Sequence, residues 1–150
     1  MAFEIIEEGE LEGLRYCINS GAGYGGFCGY IYFPKRPLKE PGYEGIVNYV
    51  SVHGGVTYAR EEKDGSFCYG FDTSHSDSEK FPVKDVNWIK EQLTGMKHSL
   101  EKAKELEDAY LLAEGDNEKR VKICQEVFDA GNKEQAFGLG VSIKLMTGKL

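Results

Sequence analysis

The pattern of hydrophobic and polar residues changes about halfway along the chain. In the first half, short runs of aromatic and β-branched residues alternate with glycine and proline, which is typical of short β-strands. The runs that we predict to be strands are 14–19, 27–33, 45–52, 56–60 and 66–72. In the second half, apolar residues recur every three or four positions, which indicates amphipathic helices. The pattern therefore predicts an α+β fold, in which an N-terminal antiparallel sheet of about five strands precedes a C-terminal helical region.

This change of pattern also suggests how the chain is organised. The length of 150 residues suits one domain with a sizeable core. We predict that residues 1–82 form a β-rich region that holds the ligand site. Residues 83–150 are predicted to form a helical region that either packs on the sheet or forms an interface between copies, so we expect a homo-oligomer.

Glycine and aspartate residues suggest where the helices begin and end. A first helix is predicted to start at Val83 and to break at Gly95, and the pattern then continues as a helix that ends at Gly115. Asp116 is predicted to cap the N-terminus of the next helix. The last stretch, 133–150, fits either a helix or a strand, because its glycines weaken a helix while its apolar run would also suit a sheet.

The dipeptide Asp64-Gly65 predicts a tight hairpin turn between the fourth and fifth predicted strands, since such a turn needs positive φ angles. If those strands pair through this turn, Val56 lies opposite or nearly opposite Asp72. The two open ends of a hairpin lie side by side. Asp72 is therefore predicted to lie beside the segment that begins at His53.

A candidate site follows from this pairing, because it gathers His53, Asp72 and the nearby His75 around Gly54 and Gly55. Two imidazoles and a carboxylate could bind a divalent metal ion, or act as an acid–base pair. The spacing matches no standard zinc motif, and histidines at strand ends often only bind loop backbone. The two glycines would leave space for a ligand or form a β-bulge. The cofactor is unknown, with a divalent metal as one candidate.

Two loops are further candidates for ligand contacts. The stretch GAGYGG, residues 21–26, matches a phosphate-binding glycine pattern, but a predicted strand follows it and not the helix that a dinucleotide fold requires. It is expected to be a hairpin tip that either closes on a ligand, with Tyr24 and Phe27 able to stack on a ring, or is simply mobile. The proline-rich segment 34–42 is expected to be irregular, as a connector or a lid.

Charge and cysteine content limit the possible partners. The net charge of −7 and the lack of a basic cluster argue against duplex nucleic acid as a partner. A small anion could still bind to backbone amides and a few cations, of which the candidates are Arg15, Lys35, Arg36 and Arg60. The N-terminus is acidic and lacks an apolar run, and the cysteines show no close pairing. We therefore expect a reduced, cytoplasmic protein without a membrane partner, whose cysteines are mainly buried apolar residues.

Three segments carry a resemblance to a known family. The segments are VHGGVTY at 52–58, YGFDTSHSD at 69–77 and CGYIYFPKRP at 28–37. Together they resemble a family of small uncharacterised proteins encoded by bacteriophages and prophages, over about residues 14–88. One difference is Ser78, where relatives tend to carry an acidic residue. The resemblance implies a phage accessory protein in the host cytoplasm. By analogy, such a protein could counter host defence by holding a nucleotide signal.

Three functions remain as alternatives. The first is binding and sequestration of a small, nucleotide-like anion, with aromatic rings contacting the base. The second is a hydrolase or transferase for a nucleotide-type substrate, which depends on a metal or on histidine and aspartate. The third is inhibition of a host enzyme. The predicted ligand-binding residues are His53, Gly54, Gly55, Asp72, His75, Tyr24 and Arg60, and the metal ligands among them would be His53, Asp72 and His75.

Overall fold

The computed structural model describes residues 4–20, 26–40, 45–73 and 86–132. The described residues form one antiparallel sheet with strand order β1-β2-β3-β5-β4, followed by two helices. This arrangement confirms the predicted α+β fold. The strands are β1 Ile5–Leu11, β2 Leu14–Asn19, β3 Cys28–Phe33, β4 Tyr58–Glu61 and β5 Phe67–Asp72. The helices are a 3-10 helix Gly45–Tyr49, α1 Val86–Leu112 and α2 Asn117–Asp129.

One predicted strand is wrong, and another strand takes its place in the sheet. Residues 45–52 contain the 3-10 helix, in which the consecutive residues Ile46 and Val47 are both buried. A strand would send neighbouring side chains to opposite faces. The fifth strand of the sheet is instead β1, in which three glutamates lie between apolar residues at the two ends. It pairs with β2 through a two-residue turn, Glu12-Gly13, with positive φ angles at both positions.

Helix α1 runs without interruption through Gly95, so the predicted break there is wrong. A Cβ atom at Gly95 would overlap the side-chain amide of Asn132, which follows α2. That amide donates a hydrogen bond to the Gln92 carbonyl oxygen at 2.9 Å. Gly95 therefore provides space for a contact between segments. The predicted cap is confirmed, because the Asp116 carboxylate accepts a hydrogen bond from the Lys119 N–H at 3.2 Å.

The sheet has two different faces, which alternate along each strand. The inner face packs on α1 and is formed by apolar residues such as Ile18, Ile31 and Tyr69, all of them buried. A Cβ atom at Gly29 would lie only 3.1 Å from Ile89 of α1, so the helix approaches β3 closely. We call the other side of the sheet the outer face. Its residues are Glu8, Glu10, Arg15, Cys17, Asn19, Cys28, Tyr30, Tyr32, Tyr58, Arg60, Cys68, Gly70 and Asp72.

The proline-rich segment is irregular over its described part, residues 34–40, as predicted. Leu38 is buried in the core. The buried carboxylate of Glu107 on α1 accepts hydrogen bonds from the backbone N–H groups of Lys39 at 2.7 Å and Glu40 at 3.1 Å. The described part of the loop is therefore fixed to α1. Residues 41–42 lie outside the described residues.

The outcome differs for the remaining predictions on the helical half. Gly115 has a positive φ angle just after the end of α1, as a helix stop requires. His98 is exposed and contacts the Glu12 carboxylate at 2.7 Å. Neither described helix combines the length and the apolar character that crossing a bilayer demands. The segment 133–150 lies outside the described residues, so its predicted helix or strand stays a prediction.

Candidate functional site

His53 lies in a tight turn that directs it into the core. The Gly55 N–H donates to the Val52 carbonyl oxygen at 2.8 Å, and Gly54 and Gly55 have φ angles of 74° and 77°. Two successive residues in the left-handed region favour glycine strongly. His53 is fully buried, and its backbone N–H donates to the Gln92 Oε1 atom at 3.0 Å. The glycines therefore have a conformational role in a turn that packs on α1.

The surroundings of the His53 ring are also those of a core residue. The ring meets Trp88 edge-on, with ring centroids 5.3 Å apart. The Trp88 ring in turn packs against the ring of Phe71, an inner-face residue of β5, with ring centroids 6.4 Å apart. The imidazole is thus on the helix side of the sheet. Trp88 and Gln92 are two contacts that the sequence patterns did not predict for His53.

Asp72 belongs to the outer face. The last pair of the β4–β5 hairpin is Tyr58 opposite Gly70, so the predicted pair of Val56 with Asp72 lies beyond the paired strands and stays a prediction. Asp72 pairs with Cys28 of β3. Burial raises the pKa of the Cys28 thiol, and the negative charge of Asp72 raises it further. The neighbouring strand positions at the end of β5 thus direct Phe71 towards α1 and Asp72 towards the outer face.

The predicted metal site depends on residues that the structure describes only in part. His75 and Tyr24 lie outside the described residues. Within the described ranges, no group of three or more histidine, cysteine or acidic residues could hold a metal ion. A site that includes His75 therefore stays a prediction.

The outer face carries a cluster of aromatic rings that we call the tyrosine platform, formed by Tyr30, Tyr32 and Tyr58. The Tyr30 ring leans over Gly70 on the neighbouring strand, where a Cβ atom would lie 2.5 Å from the ring. Tyr58 packs edge-on against Tyr30 with ring centroids 5.3 Å apart. Glycine at position 70 thus makes room for Tyr30 on the sheet surface. Among the described elements, both helices and the 3-10 helix lie on the other side.

Two arginines extend the platform with positive charge. The Arg15 guanidinium lies 4.1 Å from the centre of the Tyr32 ring, and that of Arg60 lies 5.6 Å from the centre of the Tyr58 ring. These are cation–π distances. Arg60, a predicted ligand-binding residue, thus belongs to the same surface as Asp72. The side chain of Arg15 is 57% exposed, so much of its surface is accessible to solvent.

A surface cavity of about 260 Å³ adjoins the Arg15 end of the platform. Arg15, Tyr32, Asp64 and Ser66 contribute to its lining. The Asp64 carboxylate lies 4.0 Å from Arg15 but accepts hydrogen bonds from the N–H and the hydroxyl of Ser66, at 2.9 and 2.6 Å. These bonds to Ser66 are the main cause of a lowered pKa of Asp64. Asp64 is thus held by its own turn.

The tyrosine hydroxyls of the platform and the nearby Cys68 thiol are neutral at physiological pH. Burial raises the pKa values of Tyr30 and Tyr32 above their ordinary value. Burial also raises the pKa of Cys68, which lies beside the Tyr32 hydroxyl, to about 12. A thiol must lose its proton to become a strong nucleophile. The platform therefore suits binding by rings, hydroxyls and guanidinium groups, and it offers no activated thiol at Cys68.

Sequence reasoning identified Arg60 and Arg15 as cations for an anionic ligand, but it did not place the tyrosines on one surface. The sequence did indicate part of this surface, because Tyr30 and Tyr32 are two positions apart in one strand and therefore lie on the same face. Placing Tyr58 beside them requires the order β3-β5-β4, in which β5 lies between β3 and β4 although these two follow one another in the sequence. That order does not follow from local patterns.

Comparisons with protein-family models, with curated proteins and with solved structures found no match to this chain.

Proposed function

We propose that this protein binds a small anionic ligand with an aromatic ring, such as a nucleotide, on the outer face of its sheet, and holds it without converting it. The observation that carries the proposal is the guanidinium of Arg15, which stacks on Tyr32 beside a cavity of about 260 Å³. A planar guanidinium can bind two phosphate oxygens at once. Stacking on a ring fixes its plane before the ligand arrives, which reduces the entropy lost on binding.

Two carboxylates line the cavity: Glu10 lies opposite Arg15 in the β1–β2 pair, and Asp64 lies 4.0 Å from Arg15. The Asp64 carboxylate already accepts two hydrogen bonds from Ser66. Its contact with Arg15 is long, and the side chains of both residues are exposed. Exposed ion pairs of this kind are weak because water screens them. A phosphate group can therefore replace Asp64 as the partner of Arg15. Arg60 lies on the same face and supplies a second positive charge.

The tyrosine platform supplies the surface for the ring of the ligand. Stacking of a base on an aromatic side chain contributes about 1–3 kcal/mol per base. Tyr30 and Tyr58 already pack against each other, so their positions are fixed before binding. The presence of three tyrosines could also reflect only the preference of tyrosine for strands. The arginines that accompany two of the three rings favour a binding surface.

The capture of a ligand without turnover is supported by the neutral, buried thiol of Cys68 and by the place of His53 in the core. The further proposal that the captured ligand is a nucleotide signal of host defence depends on the resemblance to phage-encoded proteins. It is tested separately, by the identity of the ligand.

The test is a calorimetric titration of the protein with a panel of mononucleotides and cyclic dinucleotides. The protein is then heated, and the released ligand is separated by chromatography. We expect saturable binding and release of the intact ligand. Arg15→Ala should weaken binding roughly 10- to 100-fold, the value of a charge-assisted hydrogen bond. Lys122→Ala, which removes an exposed cation on α2, is the matched control and should bind normally. A chemically changed ligand, or equal affinity of both variants, would contradict the proposal.

A further inference from the structure

A second cavity, of about 360 Å³, lies between the fixed loop 34–40 and α1, and it shares Leu14, Phe33 and Pro34 with the smaller cavity beside Arg15. Its apolar wall is formed by Leu14, Phe33, Pro34 and Pro37. Pockets that bind small molecules begin at about 300 Å³ and are mostly apolar with a few polar groups. This cavity therefore has the size and wall of a site for a small organic molecule.

The polar part of the cavity consists mainly of amines. Lys97 is buried, and its Nζ atom lies 2.9 Å from the Glu101 carboxylate and 3.3 Å from that of Glu12. Burial by itself favours the neutral amine, but the two carboxylates outweigh it and raise the pKa of Lys97. Glu12 also contacts His98 at 2.7 Å. Both carboxylates of the cavity are thus engaged with Lys97, which stays charged at neutral pH.

Two further lysines of the cavity have their charge available. Lys35 on the loop and Lys104 on α1 line the cavity and form no ion pair with any residue that the structure describes. The cavity thus has three amines against two carboxylates, both of them already paired. An anion that entered would face Lys35 and Lys104, while its apolar part could lie on the two proline rings and Phe33.

We propose that this cavity is a second binding site, for a small aromatic anion that carries one carboxylate or phosphate group. The apolar wall receives the ring, and Lys35 and Lys104 bind the anionic group from the loop and from the helix. Lys97 is paired with both carboxylates that line the cavity, which offsets part of their negative charge. The site shares Leu14, Phe33 and Pro34 with the smaller cavity beside Arg15, but its amines are its own, and neither arginine of the platform lines it.

The experiment uses isotope-labelled full-length protein and records amide chemical shifts during titration. The probes are benzoate, phenyl phosphate, benzyl alcohol and inorganic phosphate. We expect benzoate, phenyl phosphate or both to produce saturable shifts at Glu101 and Lys104, with at least fivefold weaker binding of benzyl alcohol and of inorganic phosphate. Saturation by only one of the two aromatic anions assigns the anionic group. Equal affinity for benzyl alcohol would overturn the role of the charge, and equal affinity for inorganic phosphate would overturn the role of the ring.

Variants separate this site from the platform. Lys35→Ala combined with Lys104→Ala should reduce the affinity read from the Glu101 amide at least fivefold, since it removes both available amines. The matched control combines Lys119→Ala with Lys122→Ala on α2, which changes the net charge equally. Arg15→Ala should leave the shifts at Lys104 intact even if it abolishes binding at the platform. No saturable shift at Lys104 with any aromatic anion, or equal affinity in the two double variants, would overturn the proposal.

Discussion

The contact between Glu107 and the loop 34–40 allows a quantitative prediction, because the loop shapes the wall of the larger cavity. Glu107 is only 3% exposed, and its carboxylate accepts the backbone N–H groups of Lys39 and Glu40. Glu107→Ala removes both acceptors. It also leaves the two backbone N–H groups without an acceptor, which costs free energy unless the loop moves and lets them bond to water.

The magnitude follows from the two hydrogen bonds. A hydrogen bond to a charged group contributes about 1.5–3 kcal/mol, and rehydration of the released N–H groups offsets part of this. We therefore expect Glu107→Ala to lower the free energy of unfolding by roughly 3 kcal/mol. For a chain of this length, that loss corresponds to a decrease in Tm of about 6–12 °C. Glu107→Gln keeps the shape but can accept only one of the two bonds well, so its effect should be about half as large.

Thermal unfolding and amide hydrogen exchange measure this effect. The matched control is Asp108→Ala, which removes the next carboxylate along α1. Asp108 contacts the Lys39 Nζ atom, but both side chains are largely exposed, so solvent screens the pair. The amides of Lys39 and Glu40 should exchange faster in Glu107→Ala than in Asp108→Ala. If both variants have the same Tm and the same exchange rates, Glu107 does not hold the loop and this reasoning is refuted.

Three further predictions concern the core. Gly95→Ala should destabilise the protein because the new methyl group displaces Asn132, although alanine normally stabilises a helix by about 1 kcal/mol relative to glycine. In the background of Asn132→Ala, the same change should be stabilising. A double-mutant cycle in which the two effects simply add would contradict this. His53→Ala should lower Tm by removing a buried ring from Trp88, at a cost of about 2–4 kcal/mol, and an unchanged Tm would argue against its core position. The free energy of unfolding should fall as pH rises above 9.0 towards about 12, because the Cys124 thiol loses its proton in the unfolded chain while burial keeps it protonated in the folded protein. In unfolding scans, Cys124→Ala should show a shallower fall with pH. An equal fall in both proteins would contradict this.

The sequence allowed accurate predictions where a single local rule decides the structure. The β4–β5 turn at Gly65 and the end of α1 at Gly115 each depend on a positive φ angle, which glycine adopts readily, and the Asp116 cap depends on a side-chain oxygen that accepts a backbone N–H. The α+β fold follows from the change of hydrophobic pattern. Strand β1 was missed because its turn, Glu12-Gly13, places a glutamate at positive φ, which is uncommon. Two tertiary contacts accompany that turn, since the Glu12 carboxylate meets His98 and Lys97.

The candidate site was predicted less well, because its geometry depends on which strands are neighbours and on which face each residue lies. Pairing through one turn predicts that Asp72 lies beside the chain that leads to His53, and the observed β4–β5 pairing extends as far as Tyr58 opposite Gly70. It could not reveal that His53 turns towards Trp88 while Asp72 lies on the outer face. Likewise, Gly95 has the sequence signature of a helix break, but its role depends on Asn132, 37 positions further along the chain.

The most direct test of the proposed function is a map of amide shifts during titration with a nucleotide that binds in the calorimetric panel. We expect the largest shifts on β2, β3 and β4, at Arg15, Tyr32 and Arg60, and loss of these shifts in Arg15→Ala. Shifts centred on His53 and Gln92, with none on the outer face, would contradict the account.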